Sequence, residues 1–157
     1  MKAHGTNALA VAKALKSSPW VTDIIYPGLP SHPQTALAYR SLSPHALKFV
    51  EEYRKHNSSP GDTSFPYSGM ISFRINGGIK EVNKFMAASK LFVLAESLGG
   101  VESLAELPAQ MTHGSIPPAE REILGIGDNL IRLSVGVEDP EDLVHDVEQA
   151  LEAAFSD

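Results

Sequence analysis

The chain has 157 residues, 43% of them apolar and 20% charged, with no cysteine and a formal net charge of −6. That is one domain of ordinary globular composition, whose acidic balance argues against nucleic acid as its main partner. The lack of cysteine excludes disulfides, thiolate catalysis and cysteine-ligated zinc or iron, and it fits a reducing compartment.

The opening MKAHGTNALAVAKALK lacks the apolar core and cleavage site of a secretory leader, and no run of about 18 apolar residues predicts a membrane span. Residues 6–17 carry Ala8, Val11, Ala12 and Leu15 at helical spacing, and Ser17-Ser18-Pro19 ends that helix. VTDIIY (21–26) reads as a strand closed by Pro27-Gly28, and a short helix is expected over 34–40. A further helix over 45–56 places Leu47, Val50 and Tyr53 on one face, and NSSPGDTSFPYSG (57–69) reads as an exposed loop. MISFRI (70–75) alternates, with Ile71, Phe73 and Ile75 facing one way, which marks a half-buried strand.

After Gly77-Gly78, residues Ile79, Val82, Phe85 and Met86 give a helix its apolar stripe. LFVLA (91–95) lacks alternation and is expected to be a central strand covered on both faces. A loop with Pro108, a helix over 119–124 and a last strand over 131–137 follow. Asp139-Pro140-Glu141-Asp142 then starts a helix with an N-cap, a proline at its first position and acids in its first turn. The irregular order of elements predicts an α+β (α/β-type) layer, a small sheet with helices packed on one face.

Arg132 is the first candidate for chemistry. Ile131, Leu133, Val135 and Val137 point to one side of their strand, leaving Arg132, Ser134 and Gly136 on the other. A guanidinium there needs an anion, either a bound carboxylate or one of the chain's own 19 acids. A clamp requires Arg132 to look into a hollow shared with the turn at Ser97; neutralisation by an internal acid is the structural alternative. Glu96-Ser97-Leu98-Gly99-Gly100 is second: its glycines let backbone approach a ligand, and Ser97 with nearby N–H groups suits an anion, although a bare Gly-Gly turn has the same pattern. Glu96 is either a base, a cation partner or a solvated turn residue. Thr112-His113 reads as structural. His4, His32, His45, His56 and His145 show no metal-ligand spacing, so no metal site is expected. Ser97 lacks the G-x-S-x-G context of a hydrolase nucleophile, and Gly125-Ile126-Gly127-Asp128 lacks the third glycine of a dinucleotide fingerprint.

WVTDIIYPGLPSHPQ (20–34), SGMISF (68–73), KLFVLAESLGGVESLAELPAQMTH (90–113) and LIRLSVGVEDPEDLVHDVEQAL (130–151) resemble the C-terminal domain of the pyridoxal-phosphate enzymes of cysteine and methionine metabolism. The resemblance implies the small domain of a fold-type-I enzyme over residues 1–157, with an insertion at 41–68 and without the large domain that carries the cofactor lysine. It implies a cytoplasmic, homotetrameric carbon–sulfur lyase of transsulfuration and cysteine biosynthesis, splitting cystathionine into cysteine, 2-oxobutyrate and ammonia. A synthase or β-lyase of the same family is the alternative, and a non-catalytic interaction or dimerisation module is the alternative of another kind. On this reading Arg132, Ser97 and Glu96 bind substrate, with Arg132 clamping its α-carboxylate. Pyridoxal 5'-phosphate is held mainly by the large domain, and no residue of this chain is catalytic. Lys90 matches a family lysine that is not the Schiff-base residue.

Overall fold

A computed structural model describes residues 1–156. Eleven elements follow in chain order: α1 Lys2–Ser17, β1 Val21–Ile25, α2 Thr35–Arg40, α3 Pro44–Asn57, β2 Met70–Ile75, α4 Ile79–Ala88, β3 Val93–Leu94, β4 Leu104–Glu106, α5 Pro118–Ile123, β5 Leu130–Ser134 and α6 Pro140–Phe155. Capping chemistry sets several helix starts. The Ser43 side chain accepts from the Ala46 N–H at the head of α3, and Asp139 accepts from Glu141 N–H at the head of α6. Glu81 reaches back to the Gly78 N–H at 2.9 Å before α4. That bond, with the Glu81 amide's own, holds the Glu81 carboxyl below its usual range.

The strands form one sheet in the order β1-β2-β5-β4-β3, antiparallel except for the parallel β3–β4 pair. Period-two alternation divides it. Ile71, Phe73, Ile75, Ile131, Leu133 and Ala105 point into the core, where Leu9, Val11, Leu15, Val82, Phe85, Leu143, Val147 and Leu151 of α1, α4 and α6 meet them. The expected α+β layer is therefore present. Ala38, Val50 and Phe65 make a second, smaller cluster with Tyr39, Leu42 and Phe49, so the 41–68 segment packs against α2.

Three expectations are corrected. LFVLA is not a central strand: only Val93–Leu94 pairs, at the sheet edge, and these side chains are 56% and 55% exposed. An apolar run without alternation does not reveal its position in a sheet. The last strand stops at Ser134, so Val137 lies outside it and is exposed. Finally, Leu104–Glu106, read as part of a loop, is a strand inserted between β3 and β5. Only nine residues join the parallel β3 and β4, fewer than a regular crossover needs, and each strand contributes two residues to their pairing.

Candidate functional site

The face of the sheet turned away from the helices carries a polar row across β2, β5 and β4, with Ile25 of β1 at its end. Ile25 pairs with Ser72, Ser72 with Arg132, and Arg132 with Glu106. Antiparallel partners on one face lie within reach of each other, which sets the Arg132 guanidinium against the Glu106 carboxylate. Arg132 Nη1 forms an ion pair with Glu106 Oε2; the Glu106 side chain is completely buried and that of Arg132 is 20% exposed. Arg132 Nη2 donates to the carbonyl oxygens of Glu96 at 2.8 Å and Ser97 at 3.2 Å. Its Nε–H is enclosed and has no partner.

Glu106 is held from the other side. Thr112 donates to Glu106 Oε1 through its hydroxyl and, at 3.3 Å, through its N–H. Thr112 Oγ1 lies 2.8 Å from His113 Nδ1. Because the carboxylate facing Arg132 only accepts, the hydroxyl proton goes to Glu106 and His113 Nδ1 donates to Thr112.

The 96–100 turn is fixed over this row by backbone groups. Gly99, at φ +78°, occupies the left-handed region that favours glycine, and its N–H donates to Ser134 Oγ at 2.8 Å. His4 Nε2 contacts the Gly100 carbonyl at 3.0 Å. Farther along, Glu138 accepts from both the N–H and hydroxyl of Ser103, while Ser103 Oγ accepts from Gly136 N–H.

The three residues singled out from the sequence thus meet at one place, although not as expected. Arg132 faces the turn, yet Glu106 neutralises it internally, and Glu96 and Ser97 engage it through carbonyl oxygens rather than side chains. The expected open hollow is not what surrounds the guanidinium. A surface hollow of about 320 Å³ is lined instead by Trp20, Glu148, Glu152 and other residues at the ends of α1 and α6. Sequence reasoning missed Glu106, Thr112's hold on it, and Ser103–Glu138. Alternation within 104–106, with Ala105 turned inward, was the available signal for Glu106, and the short strand hid it.

The residues present do not fit attachment of pyridoxal phosphate. An imine-forming lysine needs a desolvated setting or a cationic neighbour. Among the eight lysines none is buried; Lys13 is paired with Asp62, Lys84 donates to the Ser156 carbonyl, and Lys90 is exposed. Among the described residues no group of three or more His, Asp or Glu side chains is arranged to hold a metal ion, and no helix is long and apolar enough to cross a membrane.

Comparisons place this geometry among known proteins. The chain is 51% identical over 154 residues to a Sus scrofa protein named cystathionine gamma-lyase, and 49% identical over 154 residues to the Homo sapiens protein of that name. Each alignment takes in 98% of this chain and 33% of the relative, so the chain spans about a third of the length of the curated relatives it matches. The crystal structure of cystathionine gamma-lyase from yeast aligns with a TM-score of 0.79 at 38% identity, covering 98% of this chain and 34% of that one. Cystathionine gamma synthase from Xanthomonas oryzae pv. oryzae, solved in complex with cystathionine, aligns with a TM-score of 0.78 at 36% identity over the same shares. With its description matching residues 1–58 and 51–152, the chain belongs to the Cys/Met metabolism PLP-dependent enzyme family.

Proposed function

We propose that this chain is the C-terminal, substrate-anchoring domain of a pyridoxal-phosphate-dependent lyase that splits cystathionine into cysteine, 2-oxobutyrate and ammonia. The observation that carries the reading is the unpartnered Nε–H of Arg132 on the polar face of the sheet. An arginine already paired with Glu106 is by itself as much a structural group as a binding one. Relatives half-identical to this chain and named for this lyase activity tip the balance.

Arg132 Nε–H lies on the same edge of the guanidinium as Nη2, beside the 96–97 turn; Nη2 is taken by the turn carbonyls and Nε–H is left to meet a carboxylate oxygen. Capture of the substrate's α-carboxylate there fixes which bond of the α-carbon faces the reacting partner. Ser97 and Glu96, both exposed on the turn, stand at the mouth of this site. The cofactor supplies the electron sink, and its contacts are assigned to the two-thirds of the relatives' length that this chain does not span. The 41–68 segment is an insertion, supported by the two-piece family match that meets at 51–58 and by its separate apolar cluster. A cytoplasmic homo-oligomer is the accompanying proposal, supported by the absence of cysteine and by the exposed apolar side chains of Val93, Leu94, Leu98 and Val101.

The test is made in a family-length polypeptide carrying this domain. Arg132→Ala is expected to raise KM for cystathionine and lower kcat/KM by about 2–5 kcal/mol, the scale for truncating one partner of a buried charge pair. An unchanged KM overturns the clamp. Release of 2-oxobutyrate identifies γ-cleavage; pyruvate instead points to a β-lyase. Net formation of cystathionine, without its cleavage, points to the gamma-synthase reading, which likeness to the X. oryzae structures supports. The 157-residue chain alone is expected to retain no pyridoxal phosphate after borohydride reduction and gel filtration.

A further inference from the structure

Glu106 is an unusual neighbour for a carboxylate-binding arginine, because it is itself a carboxylate, completely buried and already bound to the guanidinium. We propose that Glu106 and Thr112 are positioning residues: they hold Arg132 by its inner arm so that its Nε–H is kept for the substrate. This rests on the reading of Arg132 given above.

The arrangement divides the guanidinium between two jobs. Glu106 takes Nη1, the arm turned away from the Nε–H bond, and the pairing register of β4 and β5 sets the two side chains directly opposite. Nη2 is steadied by the turn carbonyls, and the one guanidinium nitrogen without a partner is Nε. An arginine has several rotatable bonds, and a ligand that had to order them on binding would lose affinity. Attachment at two arms orders them beforehand.

Thr112 answers the electrostatic difficulty. A substrate carboxylate at the Nε edge brings a second negative charge to one guanidinium. Two hydrogen bonds from Thr112 engage Glu106 Oε1, the oxygen not paired with the guanidinium, and offset part of that charge. They also fix which way that carboxylate points. His113 orients the Thr112 hydroxyl by donating to it, so that its proton is directed at Glu106 rather than elsewhere. Thr112 itself lies on the exposed segment after Pro108, and burial does not explain its choice of partner.

A merely structural ion pair and a positioning pair differ in what they do to ligand preference. The measurement is equilibrium binding by calorimetry, in the cofactor-loaded family-length polypeptide, of L-2-aminobutyrate and its carboxamide, with melting temperatures recorded alongside. The unaltered protein is expected to prefer the amino acid. Glu106→Gln is expected to cut that preference about tenfold or more, and Thr112→Val about fivefold, on the scale of hydrogen bonds to charged groups. Thr112→Ser, which keeps the hydroxyl, is expected to remain within about twofold of the parent. Should Glu106→Gln fail to fold, the Thr112→Val and Thr112→Ser pair still decides. Equal weakening of both ligands, or a lowered melting temperature with the preference intact, overturns the positioning role while Arg132→Ala still abolishes the preference. If Arg132→Ala also leaves the preference intact, the Arg132 reading itself fails.

Discussion

Asp146 lies on α6, 3% exposed, and receives the stretch of chain that leads into β3. Its Oδ1 accepts from Lys90 N–H at 2.9 Å and from the Gln149 amide at 3.0 Å. Its Oδ2 accepts from Leu91 N–H at 2.8 Å and Phe92 N–H at 3.2 Å. Asp146→Asn preserves shape and one acceptor oxygen but turns an NH₂ toward one of these two pairs of donors. Two N–H groups then lose their acceptor, at roughly 1–3 kcal/mol each, and the surviving bonds lose their charge assistance. We expect a loss of about 3 kcal/mol, or a fall in melting temperature of roughly 6–12 °C for a chain of this size. Urea unfolding of the purified chain followed by circular dichroism gives the number, provided the slope is unchanged. Hydrogen exchange should show the amides of residues 90–92 losing protection before the core strands. A loss below about 1 kcal/mol, or no local change in exchange at those amides, refutes the assignment of Asp146 as their acceptor.

Four tyrosines are present, and Tyr26 should titrate apart from the others. Burial pushes its phenol far above the ordinary range, despite the Tyr67 N–H bond at 2.9 Å that favours the anion. A raised folded value favours the neutral form, so stability is full below pH of about 10 and lost as pH rises beyond it. Tyr26→Phe should remove that alkaline loss in pH-dependent unfolding, and an alkaline limb that persists in the variant would refute the assignment. Asp62 shows the opposite sign. The Lys13 ammonium, then Ser64, hold its carboxyl well below the usual range, so its contribution is present above pH of about 4 and fades as pH falls. Solvent screening limits that contribution to under about 1 kcal/mol, and Asp62→Asn should lower neutral-pH stability by that amount and match the parent in acid. Gly136→Ala places a Cβ against the Val101 carbonyl and the Glu138 carboxylate. It should destabilise by about 1–3 kcal/mol, the range for overpacking, and an unchanged unfolding midpoint would show that the 101–103 segment yields freely.

Long periodic segments were legible. The stripes of α1, α4 and α6 and the alternation of MISFRI each follow from one-face burial, and capping residues marked the start of α6. What escaped was set by pairing rather than by pattern. A three-residue strand such as Leu104–Glu106 has too few residues to display a period, and a two-residue edge strand inside an apolar run looks like a longer one. For the same reason the site was half legible. Arg132 and the 96–97 turn were visible as an isolated charge in a strand and a Gly-Gly break. Its resident counter-ion was not, because Glu106 meets Arg132 only through the β4–β5 register. Asp146, a buried acceptor on α6, carries no mark in the sequence because its donors lie 54 to 56 residues away.

The guanidinium and the loop that covers it hang from very different supports. β5 is bonded along both edges by β2 and β4, whereas the loop departs from β3, which has a neighbour on one edge and only two paired residues. Local opening draws first on segments with few such bonds and little buried apolar surface. The turn is tied back to the sheet instead, by Gly99 N–H on Ser134 and by the Glu96 and Ser97 carbonyls on Arg132. The anchor is built into masonry and the turn beside it is moored to that wall, so the strand that carries the charge also sets where its neighbour rests.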